Sequence, residues 1–235
     1  MSELIIIGGT AGIGRELARV CASRGDSVVI AGRDADRAAR VAQELTDSLP
    51  AGAGRVRGIA ADLSKPHDLQ QALSSVESVS HLVVAGVERD SNSLKDYKID
   101  AAITMATVKM VGYAAAVVAV KDRIATGGSI LLFGGLAKDR PYPGSTTISS
   151  VNAGILGLVT TMVQELKPLR VNSIHPGVVS DTPFWAANDG MLAFARNLTL
   201  TGILPTMQDI VDGCMFLMRN PSANGTCLNL DGGKS

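Results

Sequence analysis

Aromatic residues, histidine and cysteine are scarce in this sequence, and neither sign of charge is in excess. Phe, Trp and Tyr make up 3% of the chain, and there are three His and three Cys. Cys21, Cys214 and Cys227 are odd in number and unclustered, with no zinc or disulfide spacing, so they are expected to be reduced and buried, and no metal is expected. Lys plus Arg and Asp plus Glu are both 22, a formal charge of zero. Such a chain has no field to draw nucleic acid or a charged membrane surface, and neither is expected as a partner. Solubility would then rest on burying surface in an oligomer. The first apolar run starts a few residues after Met1, leaving no room for a signal peptide, so a cytoplasmic protein is expected.

The sequence is rich in glycine and small apolar residues: hydrophobic residues are 46% and charged residues 19% of 235. Leu4-Ile5-Ile6-Ile7 reads as a buried strand running into Gly8-Gly9-Thr10-Ala11-Gly12-Ile13-Gly14, after which Arg15 to Ser23 reads as a helix. A strand, a glycine turn and a helix N-terminus make an anion site, because backbone N–H groups point outward and the helix dipole favours negative charge. Gly8, Gly12 and Gly14 lack a Cβ where a diphosphate or a packed strand must come close. The context is that of a dinucleotide site.

Strands and helices then alternate: strands at Ser27 to Ala31, Val56 to Ala60, His81 to Ala85, Gly128 to Gly135, Arg170 to Ile174 and Cys227 to Leu230. The helices between them run Asp36 to Leu49, from near Pro66, Ala101 to Val120, Ser149 to Leu166 and Gln208 to Met218, while Leu136 to Thr147 reads as a loop. This order predicts an α/β fold, a single Rossmann-like domain over 1–235 with a doubly wound, seven-stranded parallel sheet and helices on both faces. About 20 residues past the glycine turn, an acid would hold the ribose hydroxyls of NAD. Here Gly32 removes that carboxylate and Arg33 supplies a fork suited to a 2′-phosphate, so NADP(H) is the expected cofactor. Arg15 is a second candidate phosphate contact. Asp62, before Leu63, either accepts from the adenine amino group or caps a helix. Gly86, after Ala85, lets backbone approach the cofactor. His81 and His67 read as structural and surface residues.

Ala101 to Val120 is long enough for a membrane span but contains Thr104, Thr107, Lys109 and Gly112 in the middle of the domain, so a buried crossover or oligomer helix is expected. Lys109, its one charge, either reaches a cavity or snorkels to the helix surface. Phe184, Trp185, Met191 and Phe194 in Asp181 to Asn197 lie where a substrate lid would be and point to a hydrophobic substrate.

Together, Gly8/Gly12/Gly14, Asp62-Leu63, Ala85-Gly86, Gly128-Ser129-Ile130, Val171-Asn172 with Pro176-Gly177, Thr182-Pro183 and Asp231-Gly232-Gly233 resemble the short-chain dehydrogenase/reductase family over essentially the whole chain. The resemblance implies a cofactor across the carboxyl ends of the strands, touching Gly8, Thr10, Gly12, Ile13, Gly14, Arg33, Asp62, Leu63, Ala85, Gly86, Asn152, Pro176, Gly177, Val179 and Thr182. It also implies a homodimer or homotetramer. Family members use a Ser, a Tyr-x-x-x-Lys pair and an Asn. Alignment on Gly157-Leu158 places Gly135 at the serine, Ile148 at the tyrosine, Asn152 at the lysine and Lys109 at the asparagine. Val151-Asn152-Ala153-Gly154 with a crossover lysine resembles a divergent branch of the family, described as NADP(H) oxidoreductases.

Three functions stay open. One is a reductase of a hydrophobic carbonyl or enone with a relocated proton donor, for which Lys109 is the first candidate and Tyr142, Tyr113 and His175 are poorer ones. Another is an inactive NADP(H)-binding sensor, or a subunit paired with an active paralogue in a mixed oligomer. The third is a non-redox lyase or isomerase.

Overall fold

The computed structural model describes residues 2–88 and 91–233. Seven parallel strands form one sheet: β1 (Glu3–Ile7), β2 (Ser27–Gly32), β3 (Val56–Ala60), β4 (Val79–Val84), β5 (Ile124–Phe133), β6 (Arg170–Pro176) and β7 (Cys227–Leu230), in the spatial order β3-β2-β1-β4-β5-β6-β7. Successive strand side chains point to opposite faces, and this sheet buries both. Leu4 and Ile6 of β1 and Val28 and Ile30 of β2 enter one core. There they meet α1 (Gly12–Ser23), α2 (Ala35–Ser48) and α8 (Met207–Arg219). Ile5, Ile7, Val29 and Ala31 enter the other core, under α3 (Leu69–Ala72), α5 (Tyr113–Val120) and α6 (Thr146–Glu165). Each such Ile or Val contributes roughly 1.5–3 kcal/mol by leaving water.

The sheet order reverses between β1 and β4, and a crevice opens outside their carboxyl ends, where doubly wound folds bind ligands. Gly8, at φ +92°, turns the chain out of β1, and a Cβ there would sit 2.6 Å from the Gly86 nitrogen. The turn and the end of β4 are thus packed together as one wall.

Several boundaries differ from the sequence expectation. α1 starts at Gly12 rather than Arg15, because the last two fingerprint glycines are already its first turn. β5 starts at Ile124, ahead of the Gly127-Gly128 pair, since its pairing with β4 tolerates a register shift there. α6 starts at Thr146, inside the expected loop, where the Thr146 N–H donates to the Asn92 carbonyl far away in sequence. The crossover is not a uniform α-helix: α4 (Ile99–Ala106) and α5 are joined by a π-helical turn, Thr107–Gly112. Gly112 permits the close approach there, since a Cβ would lie 2.3 Å from the Leu63 carbonyl oxygen. Ile99–Arg123 and Thr146–Glu165 are long and apolar enough to cross a membrane, yet both pack against the sheet through Tyr113, Val117, Ile155 and Val159. Cys21 and Cys214 are buried free thiols, but Cys227 is exposed, contrary to expectation, on the edge strand. Among the described residues no cluster of His, Cys, Asp and Glu could hold a metal.

Candidate functional site

A cavity of about 1240 Å³ lies across the carboxyl ends of the strands, larger than the roughly 300–1,000 Å³ of ordinary ligand pockets. The structure brings the expected cofactor positions onto its walls: Gly8, Thr10, Gly12, Ile13 and Gly14 from the glycine turn, Arg33, Asp62, Leu63, Ala85 and Gly86 from β2 to β4, and Asn152, Pro176, Gly177 and Thr182. Val179 is the exception. Its side chain is buried in the core against α8, and the neighbouring Val178 lines the cavity instead.

Two features fit a dinucleotide. The α1 N-terminus has no side-chain cap and no acid in its first turn, so its leading N–H groups and its positive dipole end are left for an anion. The buried Asn152 Oδ1 has no hydrogen-bond donor and stands in the cavity wall, where a ribose hydroxyl could supply one. Asp62 serves the turn: its Oδ1 accepts from the Ser64 N–H (2.9 Å) and hydroxyl (2.7 Å) while the residue still faces the cavity. Arg15 does not line this cavity and pairs with Glu44 at 3.1 Å. Arg33 bonds both oxygens of Glu88, at 3.1 and 2.9 Å.

Gly135, Ile148, Asn152 and Lys109 all line the same cavity. Lys109 does not snorkel: it is 1% exposed, and its Nζ donates to the Phe133 carbonyl at the end of β5 at 2.6 Å. The π turn places Lys109 and Tyr113 on the same inward side, with Nζ 5.1 Å from the Tyr113 ring centroid. Burial lowers the Lys109 pKa to about 7. The Tyr113 hydroxyl reaches the Gly86 carbonyl (2.9 Å) and the Phe133 carbonyl (3.2 Å), and burial pushes its pKa upward. Its single proton is held by carbonyl acceptors, so it ties β4 to β5 and is not available as an acid.

His175 is fully buried, and burial, followed by the Lys138 and Lys109 charges, lowers its pKa to about 4. Its Nδ1 accepts the Gly135 N–H at 3.2 Å, which leaves the ring proton on Nε2, facing the Ser173 hydroxyl at 2.9 Å. It therefore fixes the β5 end from below as a neutral ring. Tyr142 is 54% exposed at the cavity mouth. His81 bonds the Ser129 hydroxyl and His67 is exposed, both as read from the sequence. The far end of the cavity is apolar: Phe184 and Trp185, edge to face at 4.7 Å, with Met191 and Phe194 of α7 (Asp189–Asn197). Arg37 and Glu88, which line the cavity, escaped the cofactor reading. For Arg37 a signal existed, one turn beyond Arg33 and beside the Asp34 cap of α2.

Residues 3–191 match the family model of the short chain dehydrogenases. The chain belongs to that family of oxidoreductases, whose members use nicotinamide cofactors. It is 28% identical to carbonyl reductase family member 4 of Danio rerio over 242 residues, covering 99% of this chain and 98% of the relative. The fold matches that of the MalC reductase/Diels-Alderase from Malbranchea aurantiaca, with TM-score 0.90, 22% identity, and coverage of 99% and 95% of the two chains. It also matches a short chain dehydrogenase from Burkholderia cenocepacia in complex with NADP, with TM-score 0.87, 26% identity, and coverage of 99% and 97%.

Proposed function

We propose that this protein is an NADP(H)-dependent reductase of a hydrophobic carbonyl or enone in which Lys109 does the work of the family's proton donor. The observation that carries this reading is the buried ammonium of Lys109, held on the Phe133 carbonyl in the wall of the cavity that begins at the glycine turn. The uncapped α1 terminus would hold the diphosphate, Arg33 and Arg37 the 2′-phosphate, and Asn152 Oδ1 a ribose hydroxyl. The NADP-bound Burkholderia relative supports the choice of nucleotide. Bound there, the cofactor supplies hydride.

The residues do the rest. Ile148 stands at the aligned tyrosine position and has no proton to give. Lys109 Nζ holds one, and a pKa near 7 matches an acid that must still be protonated at neutral pH and still release its proton. Its remaining N–H bonds polarise a substrate oxygen, while Phe184, Trp185 and Phe194 exclude water and fit an apolar substrate body.

The competing reading, a nucleotide-binding subunit without turnover, is favoured by Ile148 and by the committed proton of Tyr113. A panel of carbonyl and enone substrates, followed by NADPH oxidation, separates the two. Turnover is expected to fall as pH rises through about 7 and to drop by about 10²–10⁴ in Lys109→Met. Turnover that Lys109→Met leaves intact rules out the relocated acid. Tight NADPH binding with no oxidation across the panel favours the binder.

A further inference from the structure

The sheet order sets β2 and β4 on either side of β1, with all three carboxyl ends at the same edge. Arg33 directly follows β2, and Glu88 lies four residues beyond β4. Their ion pair, Nη1 to Oε2 at 2.9 Å and to Oε1 at 3.1 Å, therefore links the two flanking walls of the nucleotide cleft at the adenine end. Both side chains line the cavity, and neither is buried, with 66% of the Arg33 and 36% of the Glu88 side chain exposed. A pair this exposed contributes little to stability, so its consequence lies in binding.

The same guanidinium face cannot hold the Glu88 carboxylate and a phosphate at once. A 2′-phosphate that takes Arg33 also leaves the Glu88 carboxylate, an uncompensated like charge, beside it. Two other acids line the cavity here, and both are occupied: Asp34 accepts the Arg37 N–H at 2.9 Å at the α2 terminus, and Asp62 accepts from the Ser64 N–H and hydroxyl. Arg37 lines the cavity beside Arg33 and offers the phosphate a second donor.

We propose that Glu88 is a specificity-determining residue: by competing for Arg33 it sets how strongly the cleft prefers a 2′-phosphorylated nucleotide over its 2′-hydroxyl counterpart. The inference rests on the NADP(H) reading above. An NAD-type nucleotide, which has no claim on Arg33, leaves the ion pair closed over its adenosine, whereas an NADP-type nucleotide must open it. Glu88 thus narrows the discrimination that Arg33 alone would give.

Titrations of NADPH, NADH and 2′,5′-ADP into the wild type, Glu88→Gln, Arg33→Ala and the double variant test this. 2′,5′-ADP isolates the 2′-phosphate from the nicotinamide half. Glu88→Gln is expected to bind NADPH and 2′,5′-ADP about 3- to 10-fold more tightly, with NADH changed by less than about twofold. The gain is expected to vanish when Arg33 is also removed. The inference is overturned if Glu88→Gln leaves NADPH affinity unchanged, or tightens NADH equally, while Arg33→Ala still weakens NADPH. If Arg33→Ala does not weaken NADPH, the NADP assignment itself fails.

Discussion

Lys109→Met should make the protein more stable at neutral pH, and by an amount that depends on pH in a specific way. The wild-type lysine is almost wholly buried, and its pKa is lowered from 10.5 to about 7 by desolvation. At about 1.4 kcal/mol per tenfold change in proton affinity, holding the ammonium inside the folded chain costs on the order of 4–5 kcal/mol below that pKa. The sign follows from proton counting. Between about 7 and 10.5 the unfolded chain holds a proton that the folded chain has released, so this group makes stability rise with pH across that window. Below it both states are protonated and the full cost applies. Methionine has a similar length and no charge. The substitution forfeits the 2.6 Å bond to the Phe133 carbonyl, worth about 1.5–3 kcal/mol as a charged hydrogen bond. That carbonyl is not orphaned, because the Tyr113 hydroxyl still reaches it at 3.2 Å. The net expectation is a gain of about 1–3 kcal/mol near pH 7, or roughly 3–9 °C in Tm for a domain of this size. Urea unfolding of both proteins from about pH 6 to about pH 10 reads it. The advantage of the variant should shrink as pH rises. A variant less stable than wild type at pH 7, or a difference that stays constant across the range, would refute the argument.

Two further outcomes follow from packing. A Cβ at Gly135 would lie 2.8 Å from the Asn152 Nδ2, so Gly135→Ser cannot simply restore a serine at the β5 end. It should cost about 1–3 kcal/mol by overpacking and weaken NADPH binding by displacing Asn152; a melting temperature and NADPH affinity equal to wild type would show that the two residues are not coupled. Ile99, Ile103, Val111 and Val118 leave an exposed apolar line along the crossover helix, and we expect it to be covered by a second copy of the chain; sedimentation that shows only monomer, or an Ile103→Glu variant that assembles normally, would remove that expectation.

Much of the frame was legible because the central strands bury both faces. The edge strands Val56–Ala60 and Cys227–Leu230 bury less, but the glycine and polar turns on either side delimit them, and the observed bounds equal the expected ones. The boundaries that moved are those set from a distance. α6 begins at Thr146 because Asn92 and Ser145 organise its first turn, through Thr146 N–H to the Asn92 carbonyl and Ser149 Oγ to Ser145 Oγ. No local pattern carries that information. The π turn is likewise a matter of fit: the crossover helix gains its extra residue where Gly112 meets the Leu63 backbone. At the site, the glycine turn and the strand-end residues could be read in order, since a parallel doubly wound sheet sends every strand end to one edge. Glu88 could not, because its pairing with Arg33 exists only once β2 and β4 flank β1.

The cost of Lys109 bears on which function the cavity serves. A site drifting away from chemistry has no reason to retain a group that destabilises the fold, and methionine or leucine would fill the same volume without an ammonium. Here the costly residue is supported from several sides. The π turn aims it inward, the Phe133 carbonyl accepts a hydrogen bond from its ammonium, and the Tyr113 ring faces its charge. His175, itself neutral, holds the Gly135 N–H and so steadies the strand end that presents that carbonyl. Gly135 in turn leaves the room that Asn152 occupies. Sites that violate local stability rules while being built up by their neighbours are the ones expected to be functional. This consistency among Lys109, Tyr113, Gly135, Asn152 and His175 favours a working, rearranged reductase over a nucleotide-binding remnant, and the substrate panel with Lys109→Met is the experiment that decides between them.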